Sequence, residues 1–197
     1  MISEKLKCVF VHIPKCAGSS INLDLKLTSV GFSGHSPASC HFDYIGQGYF
    51  SFTFIRNPYD RVASAYRYFQ KLVPGHRWYK RNSIIADLAN KLDFSGFVNH
   101  IGDFKQLMKR EDGSYESGIH FQPFSYFLDE PVDFIGRYEN IQHDYFSIRS
   151  RLNLSIKNLP KTNSTNNKDY RELYVEDSKN IVYNTYKEDI KKYNYKF

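Results

Sequence analysis

Residues 7–20 read KCVFVHIPKCAGSS, and this stretch decides the fold. Its first half, residues 7–13, is a β-branched and aromatic run that Pro14 ends, which predicts a buried strand. The small residues 16–20 predict a tight turn into a helix that a serine side chain caps. Residues 21–27 alternate apolar and polar side chains as a strand does, but a small-residue turn after a buried strand favours a helix, so we predict one there.

A second strand–turn–helix sequence follows at residues 49–72. The run YFSFTFI at residues 49–55 predicts another strand, and it ends at Arg56. Asn57 can cap a helix, and Pro58 suits the first helical position. Apolar side chains then recur every three or four residues, which predicts an amphipathic helix from Pro58 to about residue 72.

The remaining pattern alternates in the same way. It predicts helices near residues 83–92, 95–108 and 141–152, a short strand at 132–135, a last helical stretch from about 181 to 190, and loops at 31–48, 109–118 and 159–168. Strands that alternate with helices indicate one α/β domain over residues 1–197, with a central, mainly parallel sheet flanked by helices.

Composition excludes several classes of protein. Hydrophobic residues make up 41% of the chain and charged residues 24%, as in folded globular proteins. No apolar run approaches the ~20 residues of a membrane span, and no signal-peptide core follows Met1. Three cysteines without a CxxC pair and seven scattered histidines predict neither disulfides nor a metal site. We expect a cytoplasmic protein, and the net charge of +6 is a modest indication of an anionic partner.

Residues 14–20, which we name the lysine loop, have the properties of a phosphate-binding turn. Small residues let main-chain N–H groups approach an anion, and the following helix adds the positive end of its dipole. Lys15 adds a charge, and Ser19 and Ser20 add hydroxyl donors. The lysine precedes Gly18, so the order is not that of a Walker A motif. An ordinary turn with a solvated lysine is an equal alternative on this segment alone.

Arg56 and Ser64 form the second candidate anion site. Arg56 leaves the sheet at the carboxyl end of a strand, where open α/β sheets bind ligands. An arginine fork and a hydroxyl suit a phosphate group. The alternative is a surface pair between Arg56 and Asp60, with Ser64 as a small packing residue.

The segments HIPKCAGSS (residues 12–20) and FTFIRNPYDRVASAYRYF (residues 52–69) together resemble the two cofactor motifs of PAPS-dependent sulfotransferases of the carbohydrate type. PAPS is 3′-phosphoadenosine-5′-phosphosulfate. The resemblance covers nearly the whole chain, including residues 132–140, and implies a three-layer, P-loop-like domain. It implies that the 5′-phosphosulfate is held by Lys15, Cys16, Ala17, Gly18, Ser19 and Ser20, and the 3′-phosphate by Arg56 and Ser64. Cys16 and Ala17 depart from the more usual Thr-Gly.

The same resemblance supplies a candidate base. Residues 34–39, GHSPAS, are similar to the family's histidine segment, so His35 would take the proton of the acceptor hydroxyl, with His41 and His120 as alternatives. Lys15 would stabilise the charge that grows on the leaving phosphate. We expect His12 to support the lysine loop. Residues 161–164 match weakly a family loop that closes over the nucleotide.

Two other functions stay open at this point. A P-loop kinase would bind Mg²⁺ through a strand-end aspartate, which neither predicted strand end offers. A non-catalytic nucleic-acid-binding module would use the basic charge and the aromatic residues, but no reading motif is present. We therefore expect no nucleic-acid partner and no metal. The expected partners are the nucleotide and a hydroxyl acceptor, a sugar or an acidic glycan before small alcohols and phenols.

Overall fold

The computed structural model describes residues 1–29, 34–108, 117–160 and 169–197. Within these ranges the strands are β1 (Ile2–Ser3), β2 (Cys8–Val11), β3 (Phe50–Ile55) and β4 (Phe134–Arg137). The α-helices are α1 (Gly18–Leu25), α2 (Phe42–Gly46), α3 (Pro58–Phe69), α4 (Tyr79–Lys91), α5 (Phe94–Val98), α6 (Ile101–Gln106), α7 (Phe124–Phe127), α8 (Ile141–Arg151), α9 (Glu176–Thr185) and α10 (Lys187–Lys192). Short 3₁₀ turns occupy Ala38–His41, Ser117–Phe121, Tyr138–Asn140 and Tyr170–Leu173.

One open sheet contains the four strands in the order β1-β2-β3-β4. The three longer strands are parallel, with Phe10 opposite Phe52 and Phe52 opposite Phe134. Only β1, at one edge, runs antiparallel to its neighbour. The predicted α/β class, with a mainly parallel sheet flanked by helices, is confirmed.

Position in the sheet explains why the strand sequences differ. The interior strand β3 is buried from Ser51 to Ile55, and its two polar side chains are hydrogen-bonded: the Ser51 hydroxyl donates to the Asp133 carboxylate at 2.8 Å and the Thr53 hydroxyl to the Val11 carbonyl at 2.7 Å. The edge strand β4 contributes Gly136 directly opposite Phe54. A Cβ atom at Gly136 would lie 2.5 Å from the Phe54 ring, so a large aromatic and a glycine form a matched pair across these strands.

The chain forms two compact units. The first consists of Met1–Arg56 and Phe124–Thr165 and contains the sheet with α1, α2, α7 and α8. The second consists of Asn57–Pro123 and Asn166–Phe197 and contains helices only in its described residues. That the chain is a single domain stays a prediction.

The start of α3 agrees with its sequence pattern. Pro58 occupies the first helical turn, and the Asn57 Oδ1 atom accepts a hydrogen bond of 3.1 Å from the Tyr59 N–H. The Asn57 Nδ2 group also donates to the Tyr170 hydroxyl (3.2 Å) and to the Lys196 carbonyl (2.7 Å). The capping residue therefore also ties α3 to two later segments of its own unit.

Several predicted boundaries were wrong. The helix predicted at 95–108 is two helices, α5 and α6, because the weak helix formers Asn99 and His100 interrupt it. The loop predicted at 31–48 contains the turn Ala38–His41 and helix α2. Of the predicted loops, residues 31–33, 109–116 and 161–168 lie outside the described residues, and the segment 161–164 matched to a family loop is among them. In the described ranges, no helix is both long enough and apolar enough to cross a membrane.

Candidate active site

Three neighbouring parallel strands direct their next residues to the same edge of the sheet. His12 follows β2, Arg56 follows β3 and Tyr138 follows β4. The carboxyl ends of parallel strands form the edge at which open α/β sheets bind ligands. All three residues belong to the first unit, so their mutual geometry follows from one sheet.

The lysine loop makes a tight turn between β2 and α1. Lys15 and Ala17 both have left-handed backbone conformations, with φ of 69° and 64°. The expected serine cap was wrong, because Ala17 is the N-cap residue and no side chain caps the helix. The helix starts with the hydrogen bonds that the Ser20 and Ile21 N–H groups donate to the Ala17 carbonyl. The N–H groups of the first two helical residues are thus left for an external acceptor.

Arg56 fixes a positive charge beside the lysine loop. Its side chain is buried, with 5% of the residue exposed. One guanidinium nitrogen donates to the Lys15 carbonyl at 3.0 Å, and the guanidinium carbon lies 3.9 Å from the centre of the Tyr138 ring. The hydrogen bond and the cation–π contact hold the guanidinium in place. The structure thus brings the two sequence motifs into contact at Lys15 and Arg56.

His35 lies against the same loop in a defined tautomer. Its Nδ1 atom is 3.1 Å from the His12 carbonyl oxygen. A carbonyl only accepts hydrogen bonds, so Nδ1 carries the proton and Nε2 carries the lone pair in the neutral ring. Burial, with a smaller contribution from the Lys15 charge, lowers the pKa of His35 to about 4. At neutral pH the ring is therefore uncharged and its Nε2 atom is able to accept a proton.

His12 connects the strand end, the helix start and His35. Its ring stacks on Phe10 at 5.3 Å between centroids and lies 4.1 Å from the His35 ring. A Cβ atom at Gly18 would lie 1.7 Å from the His12 Nε2 atom. Glycine at position 18 thus leaves the space that the imidazole occupies. His12 therefore lies between the helix start and His35, and its role in supporting the lysine loop stays a prediction.

The other predicted site residues are Ser64, His41 and His120. Ser64 is half-buried on α3, in the second unit, so its pairing with Arg56 stays a prediction. His41 is 1% exposed, and burial lowers its pKa to about 4. Such a buried ring is poorly placed to meet a substrate. His120 also belongs to the second unit, where it stacks on Tyr68 at 5.4 Å. Within the first unit, His35 and not His41 lies against the lysine loop, and His120 stays an untested alternative.

Sequence reasoning missed Tyr138. This residue is the aromatic surface beneath Arg56, and it directly follows the third parallel strand. The signal that could have identified Tyr138 is its position. It is an aromatic residue at the carboxyl end of β4, and the neighbouring strand β3 is followed by Arg56. Cation–π pairing makes such a juxtaposition favourable. Tyr138 therefore belongs with Lys15, His35 and Arg56 in the candidate site.

The arrangement combines an anion site with a base. Lys15 and Arg56 supply positive charge, the start of α1 supplies N–H donors, and His35 supplies a neutral imidazole. Backbone donors and a helix start bind phosphate or sulfate groups, and a neutral histidine accepts a proton from a hydroxyl. Among the described residues, no group of three His, Cys, Asp or Glu side chains is placed to hold a metal ion.

Comparison with known proteins gives one match. The family model described as "Sulfotransferase family" matches residues 1–196. Searches of curated proteins and of solved structures found no match. The matched range includes both segments that meet at the candidate active site.

Proposed function

The chain belongs to the sulfotransferase family, and from this premise we propose that it transfers the sulfuryl group of PAPS to a hydroxyl of a carbohydrate acceptor. The observation that carries the proposal is the 3.0 Å hydrogen bond from Arg56 to the Lys15 carbonyl. Two separate cationic motifs thereby meet at one edge of the sheet. A nucleotide with anionic groups at both its 3′ and 5′ positions needs two such cationic sites.

The residues present fit the donor nucleotide. Lys15 and the N–H groups of Gly18 and Ser19 would hold the 5′-phosphosulfate, with the rest of the lysine loop around them. Arg56 and Ser64 would hold the 3′-phosphate. When bound, the nucleotide supplies the activated sulfuryl group. Lys15 and these N–H groups would stabilise the charge that develops on the leaving phosphate more than they stabilise the ground state.

His35 would accept the proton of the acceptor hydroxyl through Nε2. The hydrogen bond from its Nδ1 group to the His12 carbonyl orients the ring. Positioned proton transfer of this kind typically contributes about 10²–10⁴-fold to a rate. A bound anionic nucleotide favours the protonated ring, so we expect it to raise the pKa of His35 from the value of about 4.

The decisive experiment compares two lysines at opposite ends of α1. Lys15 and Lys26 both have left-handed backbones, with φ of 69° and 51°, and both belong to the first unit. We expect Lys15→Ala to lower transfer from PAPS by about 100-fold or more, the typical cost of removing one aimed donor. Lys26→Ala should leave transfer unchanged. Near-normal turnover in Lys15→Ala would overturn the proposal.

Nucleotide binding separates this function from that of a kinase. We expect calorimetry to show tighter binding of adenosine 3′,5′-bisphosphate than of ATP with Mg²⁺. Arg56→Ala should mainly raise the donor concentration needed for half-maximal transfer, while thermal melting confirms that the variant is folded. Tighter binding of the triphosphate would favour a kinase and contradict the proposal.

The carbohydrate acceptor rests on the resemblance to carbohydrate-type sulfotransferases. A screen with labelled PAPS should compare neutral sugars, acidic glycans, phenols and small alcohols as acceptors. We expect label in a sugar product. Label found only in phenols or small alcohols would retain sulfuryl transfer and reject the carbohydrate acceptor.

A further inference from the structure

The positive charge of the chain is concentrated in one segment. Residues 61–86 contain six Lys or Arg residues and no Asp or Glu, whereas the remainder of the chain contains equal numbers of basic and acidic residues. Every residue of this segment is described, and all of it lies in the second unit. The net charge of +6 therefore equals the charge of this one segment, and the rest of the chain is balanced.

Four neighbouring exposed side chains, Arg77, Trp78, Lys80 and Arg81, which we name the basic patch, lie around the start of α4. Trp78 is 39% exposed, and the guanidinium carbons of Arg77 and Arg81 lie 5.0 Å and 5.9 Å from its ring. The two arginines therefore share one aromatic support. Cation–π contacts of this kind limit the conformations of both guanidinium groups.

No carboxylate of the described residues forms an ion pair with Arg77 or Arg81. The next acidic residue along the chain, Asp87, accepts a hydrogen bond of 2.7 Å from the Tyr79 hydroxyl. The two guanidinium groups thus present their donors to solvent beside a partly exposed indole. Paired arginine forks bind carboxylate and sulfate groups, and an indole packs against the apolar face of a sugar ring.

We propose that the basic patch binds an anionic glycan, a sugar polymer with carboxylate or sulfate groups. The choice of a glycan rests on the proposed carbohydrate acceptor, and it specifies that acceptor's charge. A single-stranded nucleic acid is less well matched, because its binding sites stack successive bases on several aromatic rings. The basic patch offers one such ring.

Trp78 reports directly on this binding, because it is the only tryptophan in the chain. The full-length protein is titrated with heparin oligosaccharides, oligosaccharides of a uronic acid, and neutral dextran while tryptophan emission is recorded. We expect both anionic glycans, but not dextran, to change the emission. Binding should weaken steeply when salt rises from about 0.05 M to about 0.2 M, as expected for displaced counterions.

Two double variants with the same loss of charge test the location. Lys191 and Lys192 are also exposed in the second unit, and the Lys192 ammonium lies 5.5 Å from the centre of an aromatic ring. We expect Arg77→Gln/Arg81→Gln to weaken glycan binding about tenfold, which corresponds to two favourable charge-assisted contacts at an exposed site. Lys191→Gln/Lys192→Gln should change it less than about twofold. Equal weakening in both variants would show that binding depends on the net charge of the protein and not on the basic patch, and it would overturn the proposal.

Further titrations distinguish glycan binding from binding of other anionic partners, and they test the glycan site separately from the proposed function. Tighter binding of a single-stranded oligonucleotide, or of vesicles of anionic phospholipid, than of either anionic glycan would overturn the proposal, as would the absence of glycan binding. The proposed function has its own test in the binding of adenosine 3′,5′-bisphosphate, which involves no glycan. We expect Arg77→Gln/Arg81→Gln to retain that nucleotide affinity, and a parallel loss of both affinities would contradict a separate glycan site.

Discussion

Ala17 has a backbone conformation that favours glycine. Its φ of 64° places it in the left-handed region at the N-cap of α1, which costs an L-residue roughly 1–2 kcal/mol. We expect Ala17→Gly to raise the free energy of unfolding by about 0.5–1 kcal/mol, because the greater entropy of unfolded glycine offsets part of the relief. Urea unfolding measures the change. Glycine is also the more usual residue at this position of the sulfotransferase motif that the lysine loop resembles, and a gain in stability would give a physical reason for that preference.

Ala89 is a matched control, because its substitution by glycine should change the free energy of unfolding in the opposite direction. Ala89 lies within α4, in ordinary helical backbone, so Ala89→Gly should lower the free energy of unfolding by about 1 kcal/mol or more. A loss of stability in Ala17→Gly similar to that in Ala89→Gly would contradict the claim that the lysine loop is strained at position 17.

The pKa of His35 determines the acid limb of activity. The pKa of about 4 means that the base is already unprotonated above about pH 5, so kcat/KM for PAPS, which reports the enzyme before the nucleotide binds, should fall only near pH 4 rather than near the usual ~6.5. We expect His35→Gln to lower transfer by about 10²–10⁴-fold. His143, which is highly exposed in the same unit, is the control. His143→Gln should preserve both the rate and its pH dependence.

The same shift affects stability with a defined sign. Because the pKa of folded His35 is lower than that of the unfolded residue, the unfolded chain binds the proton more readily. The stability contributed by the neutral ring is therefore complete above about pH 6.5 and declines as the pH falls toward about 4. Unfolding of the wild type and of His35→Gln across this pH interval should show the difference. A stability difference between the two proteins that stays constant from pH 6.5 to pH 4 would contradict the lowered pKa of His35, as would an acid limb of kcat/KM for PAPS near pH 6.5.

The contact between the end of β2 and the start of α1 depends on Gly18. A methyl group there would meet the His12 ring at 1.7 Å, and the ring, as the end of a side chain, would swing away. His35, which lies 4.1 Å from that ring, would lose its support. We expect Gly18→Ala to reduce kcat by about tenfold or more, since small misplacements of catalytic groups have effects of this size.

Gly102 provides the matched glycine. It lies in α6, and nothing lies within 4 Å of the position that its Cβ would take. Gly102→Ala should keep full activity and gain up to about 1 kcal/mol of stability, because alanine favours the helix. If Gly18→Ala retained wild-type kcat, the supporting role of His12 would be contradicted.

Helices α1 and α8 are joined by a buried charge cluster. Asp24 on α1 accepts hydrogen bonds from the Tyr145 hydroxyl and the Arg149 guanidinium on α8, and Lys157 also contacts it. The Asp24 side chain is 3% exposed, whereas that of Lys157 is 55% exposed. Removal of one partner from a buried pair leaves an uncompensated charge, so Asp24→Asn should cost about 3–5 kcal/mol. Lys157→Gln should cost less than about 1 kcal/mol.

Acid should weaken this cluster. Burial raises the pKa of Asp24, but the hydrogen bonds from Lys157 and Tyr145 and the charge of Arg149 outweigh burial and hold it below its usual value. Stability from the cluster is therefore complete above about pH 4, the range of an unfolded aspartate, and is lost as the pH falls through the lower folded pKa. Urea midpoints of the wild type and Asp24→Asn should converge in strong acid. Midpoints that stay equally far apart would contradict this account.

Local pattern predicted those elements whose causes are local. The aromatic-rich strand β3 and the Asn57-Pro58 start of α3 both depend on neighbouring residues, and both were confirmed. The Asp24 cluster was not predictable in this way, because Tyr145 lies 121 residues further along the chain. The turn Ala38–His41 depends on Asp129, whose carboxylate accepts from the Ser39 N–H at 3.0 Å. The motifs could be predicted because they consist of neighbouring residues. Their supporting contacts could not be predicted, because these join residues that are far apart in the chain.

Both compact units are assembled from two separated stretches of chain. The segment Asn57–Pro123 of the second unit is inserted between the strands β3 and β4 of the first. If that segment unfolded alone, the folded first unit would have to close a long flexible loop, which has an entropic cost. We therefore expect the two units to unfold together, as a single cooperative domain does.

The cysteines and the single tryptophan provide one probe for each unit. Cys8 and Cys16 are buried in the first unit, and Trp78 lies in the second. With increasing urea, reactivity of the buried thiols and tryptophan emission should change with the same midpoint, because coincident transitions are the mark of two-state unfolding. The exposed Cys40 reacts before unfolding and calibrates the thiol reagent. Two separate midpoints would show that the units unfold independently, and the single-domain prediction would then be wrong.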